Sequence, residues 1–292
     1  MPEPVSRFVS AQDGLRLHAR DYDPGERVRL PVVCLPGLSR TAEDFHRLAE
    51  DLSAGRSAAP RRVLALDYRG RGLSAWDPDP TNYDLRIESA DITAVLTALG
   101  VRRAIFVGTS RGGLHIMLLG ALRPAFLAGA VLNDIGPVIA PEGLRRIQGY
   151  IGKIDPPRTW DEAAAAIKRI AGGHFTNLSS DEWDAYTRLT FKEENGHLSG
   201  RYDPGLMVNL TKLDLSAIPE LWPQFDGLSE IPVQVIRGAN SDLLAAETAA
   251  EMVRRHPNCE LVTVPNQGHA PLLIDQLTID RIVGFVERCD PA

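Results

Sequence analysis

Short apolar runs recur along this chain at the spacing of strands separated by helices, and that rhythm restricts the fold more than any other feature. Pro31-Val-Val-Cys-Leu35, Val63-Leu-Ala-Leu66, Ala104-Ile-Phe-Val107 and Ala130-Val-Leu132 carry no polar alternation. Strands that are apolar at every position are buried on both faces, as in parallel sheets. Helical patterns separate them. Phe45, Leu48, Ala49 and Leu52 fall at i, i+3, i+4, i+7, behind Thr41 and Asp44, which resemble a capping box. A second helix is expected from about Asp84 to Leu99, with Gly100 just past its end. A third runs from "GTSRGG" to about Leu122. The sheet resumes at Ile231–Ile236 and Glu260–Val264, separated by "AAETAAEMVRR". A last helix carries Ile279, Ile282, Val283 and Val286. At the start, "SRFVSAQ" and "LRLHARDY" flank Asp13-Gly14, a hairpin signal. The expected fold is α/β, with a mostly parallel sheet covered by helices on both faces.

The rhythm breaks between about Pro137 and Phe225, where no buried strand run appears. Thr159 with Glu162, and Ser179 with Glu182, have capping-box spacing. This stretch reads as an inserted subdomain of several short helices. The expected organisation is a core of residues 1–136 and 227–292 with an insertion over 137–226. A chain of 292 residues builds an ample core without disulfide or metal staples. Net charge of −6 argues against a nucleic-acid surface. Cys34, Cys259 and Cys289 are far apart and odd in number, which suits incidental thiols rather than a disulfide framework or zinc site. There is no apolar leader and no run of eighteen apolar residues. The expectation is a cytoplasmic protein with no membrane partner, no metal and no cofactor.

Chemistry concentrates at the carboxyl ends of the expected strands, where α/β sheets place their sites. Gly108-Thr-Ser110-Arg-Gly112 fits G-x-S-x-G between a strand and a helix. There the turn lifts a serine clear of the sheet, and the glycines leave room for the close approach. A serine hydroxyl needs a base. His269, in "VPNQGHAPLL" after the last strand, is the candidate. His115 is expected to pack, and His18, His46 and His256 to lie at the surface. His174 and His197 could line a pocket of the insertion. The orienting acid is expected to be Asp242, in "VIRGANSDLL", with Asp134, in "LNDIGP", as second choice. An N-cap of the following helix is the alternative role for Asp242. Backbone N–H groups of Arg111 and Leu38 are the expected oxyanion donors. The Arg111 guanidinium either meets a substrate carboxylate or turns away to pair with an acid.

Taken together, "DYRGRGLS" (67–74), "GTSRGG", "SDLL" and "NQGHAPLL" resemble motifs of the α/β-hydrolase superfamily over nearly the whole chain. The insertion matches that family's cap domain. The family's His-Gly before the oxyanion loop is Pro36-Gly37 here, and the glycine is retained. The resemblance, with serine rather than aspartate as nucleophile, implies a carboxylic-ester hydrolase acting through an acyl-enzyme on a small-molecule, ester-like substrate. A lactonase or C–C bond hydrolase with the same groups is the alternative within enzymes. A ligand-binding relative with little turnover is the alternative outside them.

Overall fold

In the computed structural model, residues 3–25, 29–56 and 59–290 are described. β1 (Val5–Ser10) and β2 (Arg16–Tyr22) form the expected hairpin, with Gly14 at φ 85° in its turn. β3 (Val32–Leu35), α1 (His46–Ala54), β4 (Val63–Asp67), α2 (Leu85–Ala98), β5 (Ala104–Thr109), α3 (Arg111–Leu122) and β6 (Leu127–Asn133) follow. After an insertion come β9 (Val233–Gly238), α9 (Ala246–Arg255), β10 (Cys259–Val264) and α10 (Gln276–Arg288). The eight strands lie in the order β1-β2-β4-β3-β5-β6-β9-β10, parallel except where β2 meets β1 and β4.

The uninterrupted apolar runs are explained by two cores, one on each face. Val33, Leu35, Leu64, Leu66 and Phe106 point to the layer holding α2, α3 and α9. Their neighbours Val32, Cys34, Val63, Ala65, Ile105 and Val107 point to α1 and α10. Side chains alternate across a strand, so a strand with a core on each side must be apolar throughout. β10 is an edge strand, and it alternates: Leu261 is exposed while Val264 is buried.

The "DYRGRGLS" segment is a brace. The Asp67 carboxylate accepts from the N–H groups of Ala42 (2.7 Å) and Leu73 (3.1 Å) and bonds the His18 ring (2.7 Å). Arg69 is buried and makes a bidentate bond with Asp91 (2.7 and 2.8 Å) and a bond to Asp77 (2.6 Å). His18 is therefore buried, contrary to the surface position expected. His256 is buried too, with Nε2 3.0 Å from the Leu228 carbonyl. His46 is partly exposed on α1, as expected. Thr41 caps a 3-10 turn leading into α1, but Asp44 does not complete a capping box; its carboxylate is held by Arg40 at 2.7 and 2.8 Å.

Between β6 and β9 the chain forms α4 (Pro141–Tyr150), α5 (Trp160–Ala171), α6 (Ser180–Thr190), α7 (Met207–Thr211) and α8 (Trp222–Asp226). It also forms a hairpin that the helical reading of this stretch passed over, β7 (Phe191–Glu194) with β8 (His197–Gly200). Its turn is Asn195-Gly196, both at positive φ, the strongest two-residue hairpin signal. The flanking residues are mostly polar, which hid the strands. Ser179 and Glu182 make the complete reciprocal capping box at the start of α6. Among the described residues no helix is long and apolar enough to cross a membrane.

Candidate active site

The turn between β5 and α3 carries Ser110 at φ 50°, ψ −111°, a conformation seldom adopted by a residue with a side chain. The surrounding structure imposes it. Ser110 N–H donates to the Asn133 carbonyl at 2.9 Å, and Ser110 O accepts from Gly113 N at 2.8 Å. A Cβ on Gly108 would stand 2.5 Å from the Gly112 carbonyl carbon, and one on Gly112 would fall onto the Leu35 carbonyl. Helix and strand can approach this closely only because both positions are glycine.

His269 lies in the loop after β10, between Asn266 and Leu273, which both have positive φ. Asn133 ties this loop to the Ser110 turn, its amide donating to Thr109 Oγ1 (3.0 Å) and to the Pro271 carbonyl (2.9 Å). His269 Nε2 is 2.9 Å from Ser110 Oγ. His269 Nδ1 is 2.9 Å from Asp134 Oδ2. With its Nδ1 proton directed to the carboxylate, the ring offers Nε2 to Ser110 as an acceptor.

The expectation for Asp242 is corrected here: Asp134 faces His269, and Asp242 does not. Asp242 is held bidentately by Arg146 of α4 at 2.6 and 2.9 Å, with His174 Nε2 at 3.9 Å. Nor does Asp242 cap α9, whose N-cap is Ala245. The local cause is the loop after β9, in which Ser241 rather than Asp242 is turned toward this end of β6, where it meets Asp134. Ser241 Oγ accepts from the N–H groups of Leu243 and Leu244, so its own proton is left for Asp134 Oδ2 at 2.5 Å. Gly238 N–H donates to Asp134 Oδ1 at 2.7 Å. Asp134 is fully buried at φ 56°, and its carboxylate has a defined partner on each oxygen.

Leu38 and Arg111 border Ser110. A Cβ on Gly37 would lie 3.9 Å from Ser110 Cβ, and Leu38, Ser110 and Arg111 line one cavity together. The loop of residues 36–38 is pinned by two carbonyl contacts: Tyr68 Oη donates to Pro36 O (3.1 Å) and Arg71 Nε to Leu38 O (2.8 Å). The Arg111 side chain turns back under the turn. Its Nε donates to Glu88 Oε2 at 2.6 Å and its Nη2 to the Tyr83 carbonyl at 3.2 Å. The fully buried Glu88 also receives Arg71 (2.5 Å) and His115 Nε2 (3.2 Å). Burial alone would raise the Glu88 carboxyl, but Arg111 and Arg71 outweigh it and hold the group well below the usual carboxylate range. Burial likewise lowers His115, as Glu88 pulls the other way. His115 packs, as expected. Sequence reasoning missed Glu88, Arg71, Asn133 and Ser241, which belong to no short motif centred on Ser110.

Three cavities meet at Ser110 and His269. One of about 330 Å³ is aliphatic, with Ile139, Leu144, Leu206 and Leu210 beside Ser110. One of about 310 Å³ contains His269, Tyr150, Tyr186 and Arg146. A small one joins them around Gly37, Ser110 and His269. Of the two insertion histidines, His174 sits near Asp242 and His197 is exposed on β8; neither lines these cavities. Among the described residues no group of three or more His, Cys, Asp or Glu side chains is arranged to hold a metal ion.

Residues 32–278 match the family model described as "Alpha/beta hydrolase family". The chain is 35% identical over 285 residues to a 3-hydroxybutyrate-oligomer hydrolase of Cupriavidus necator, covering 93% of this chain and 94% of that protein. It is 24% identical to a 2-(acetamidomethylene)succinate hydrolase of Mesorhizobium japonicum, over 77% of this chain and 78% of that one. Its fold superimposes on the crystal structure of an alpha/beta hydrolase from Novosphingobium aromaticivorans with a TM-score of 0.89, 41% identity and 99% coverage of both chains.

Proposed function

The chain belongs to the alpha/beta hydrolase family, and from that premise we propose that it hydrolyses carboxylic esters with Ser110 as nucleophile, His269 as base and Asp134 as the orienting acid. The observation that carries this reading is the unbroken line Ser110 Oγ, His269 Nε2, His269 Nδ1, Asp134 Oδ2, with 2.9 Å at each hydrogen bond. Ser110 Oγ bonds to the ester carbonyl carbon as its proton passes to His269 Nε2. The carbonyl oxygen, now negative, is received by the N–H groups of Leu38 and Arg111. The C–O bond then breaks, and His269 protonates the departing alcohol. Water attacks the acyl-serine and gives its proton to His269, and the acid leaves as the Ser110–acyl bond breaks and His269 returns that proton to Ser110 Oγ. Asp134 stabilises the imidazolium at each stage without taking its proton.

The position of His269 orients the substrate. The leaving oxygen must come within reach of Nε2, so the alcohol half occupies the cavity that His269 lines. The acyl half occupies the aliphatic cavity, which holds Ser110 and Arg111 but not His269. Segment 137–226 supplies much of both linings and so acts as a selectivity cap. A hydroxyacid ester is a natural candidate substrate, supported by the relative named as a 3-hydroxybutyrate-oligomer hydrolase. The test is labelling by a fluorophosphonate with peptide mapping, alongside turnover of p-nitrophenyl butyrate. Modification at Ser110 with loss of turnover is expected; full turnover after complete labelling elsewhere overturns the assignment.

A further inference from the structure

The cavity on the His269 side holds two phenols with nothing to bond. Tyr150, at the end of α4, and Tyr186, in α6, both line it, and both also line the small chamber that contains Ser110 and His269. Among the described residues neither hydroxyl has a hydrogen-bond partner in the protein, whereas Tyr202 Oη on the same cavity accepts from Gly152 N at 3.1 Å. The two guanidinium groups nearby are already matched. Arg146 is committed to Asp242, and Arg40 to Asp44 and to Thr190 Oγ1 at 2.7 Å. The Arg40 guanidinium lies 5.2 Å from the Tyr186 ring centroid, and Tyr186 packs against Trp183 and Phe175, which hold the ring in place. Burial raises both phenols above their ordinary range, so each remains a protonated donor.

A half-buried phenol on the wall of this cavity, with no partner in the protein, is a donor left free for a ligand, and a ligand that covers it without accepting leaves it unpaired. The aliphatic cavity beside Ser110 has no counterpart to this pair. Building on the ester-hydrolase reading above, we propose that Tyr150 and Tyr186 recognise a second oxygen acceptor in the alcohol half of the substrate, so that the preferred class is an ester whose leaving alcohol itself carries a carbonyl or carboxyl oxygen. A plain alkyl alcohol would leave both hydroxyls dry and unpaired.

The test compares pentyl butyrate with the same ester bearing a ketone oxygen on the fourth carbon of the alcohol. The acyl group and the reactivity of the leaving oxygen are then nearly matched. The ratio of kcat/KM, keto ester over plain ester, is measured for the unmodified protein, for Tyr150→Phe, for Tyr186→Phe and for the double variant. The ratio is expected to fall about tenfold for each hydroxyl that binds the ketone. A ratio unchanged in all three variants overturns the proposal. A second measurement needs no variant. The free keto alcohol should inhibit p-nitrophenyl butyrate hydrolysis competitively at about tenfold lower concentration than pentanol; equal inhibition also overturns it. Absence of all ester turnover, with Ser110 unlabelled by fluorophosphonate, defeats the ester-hydrolase reading and this proposal with it. Turnover with an unchanged ratio defeats this proposal alone.

Discussion

Position in the fold, not residue type, separates the two aspartates that could orient His269. Both follow a strand at the same edge of the sheet. Asp134 directly follows the last residue of β6 and is held by Gly238 N and Ser241 Oγ, while Asp242 is neutralised by Arg146. Asp134→Asn is expected to lower kcat by about 10³–10⁴-fold, because the amide holds the wrong histidine tautomer. Asp242→Asn should fall far short of that, since it removes an ion pair at the cavity wall. Steady-state kinetics on the two purified variants decides it, and equal losses would return Asp242 to the mechanism. Ser110→Ala is expected to abolish turnover and leave the melting temperature close to that of the parent, with an unimpaired rate as the contrary result.

Elements here are set by local signals that agree with the fold. Thr159 caps α5 and Ser179 caps α6 where the spacing predicts. Replacing Ser179 with alanine is expected to cost about 1 kcal/mol, read as a lower urea midpoint. The Ser110 turn is more demanding, because Gly112 faces backbone rather than a movable side chain. Gly112→Ala should destabilise by roughly 1–3 kcal/mol and also displace Ser110, so activity and stability fall together. A variant with normal stability and normal rate would show that the elbow tolerates a Cβ. The β7–β8 hairpin is the instructive miss. Its Asn195-Gly196 turn was legible, but its strands are short and largely polar and bury only Phe191 and Leu198. A hydrophobic-period reading has little to register in such a segment.

Across the whole molecule, buried charge links the loops around Ser110 to the body of the sheet. Glu88, on α2, joins Arg71 of the brace to Arg111 of the elbow, and Arg71 in turn holds the Leu38 carbonyl. The folded Glu88 pKa lies below its unfolded value near 4.3. Its contribution to stability is therefore complete above that value and is lost as pH falls toward the folded pKa. Glu88→Gln is expected to be less stable than the parent at pH 7 and to lose less stability on acidification from about pH 5 to 3. Parallel denaturation curves at those pH values test the sign; an identical acid slope would mean that another carboxylate carries it. Burial also raises the Cys259 and Cys289 thiols to about 12, in keeping with thiols that take no part in the chemistry.

The sequence by itself determined the doubly covered sheet, the positions of Ser110 and His269 at strand ends, and the inserted segment. Each rests on a periodic or local pattern: strands apolar at every position, a glycine-flanked serine, a break in rhythm. Which aspartate meets the histidine was decided only by the tertiary structure, and so was the fate of the Arg111 side chain. Both depend on where loops from distant segments end up facing one another. A turn of one residue in the β9 loop presents Ser241 instead of Asp242 to Asp134, and a buried Glu88 from a separate helix draws the Arg111 guanidinium back under the Ser110 turn. Linear spacing does not encode which side of a loop a side chain leaves from; the packing of β6, β9 and α2 around Ser110 does.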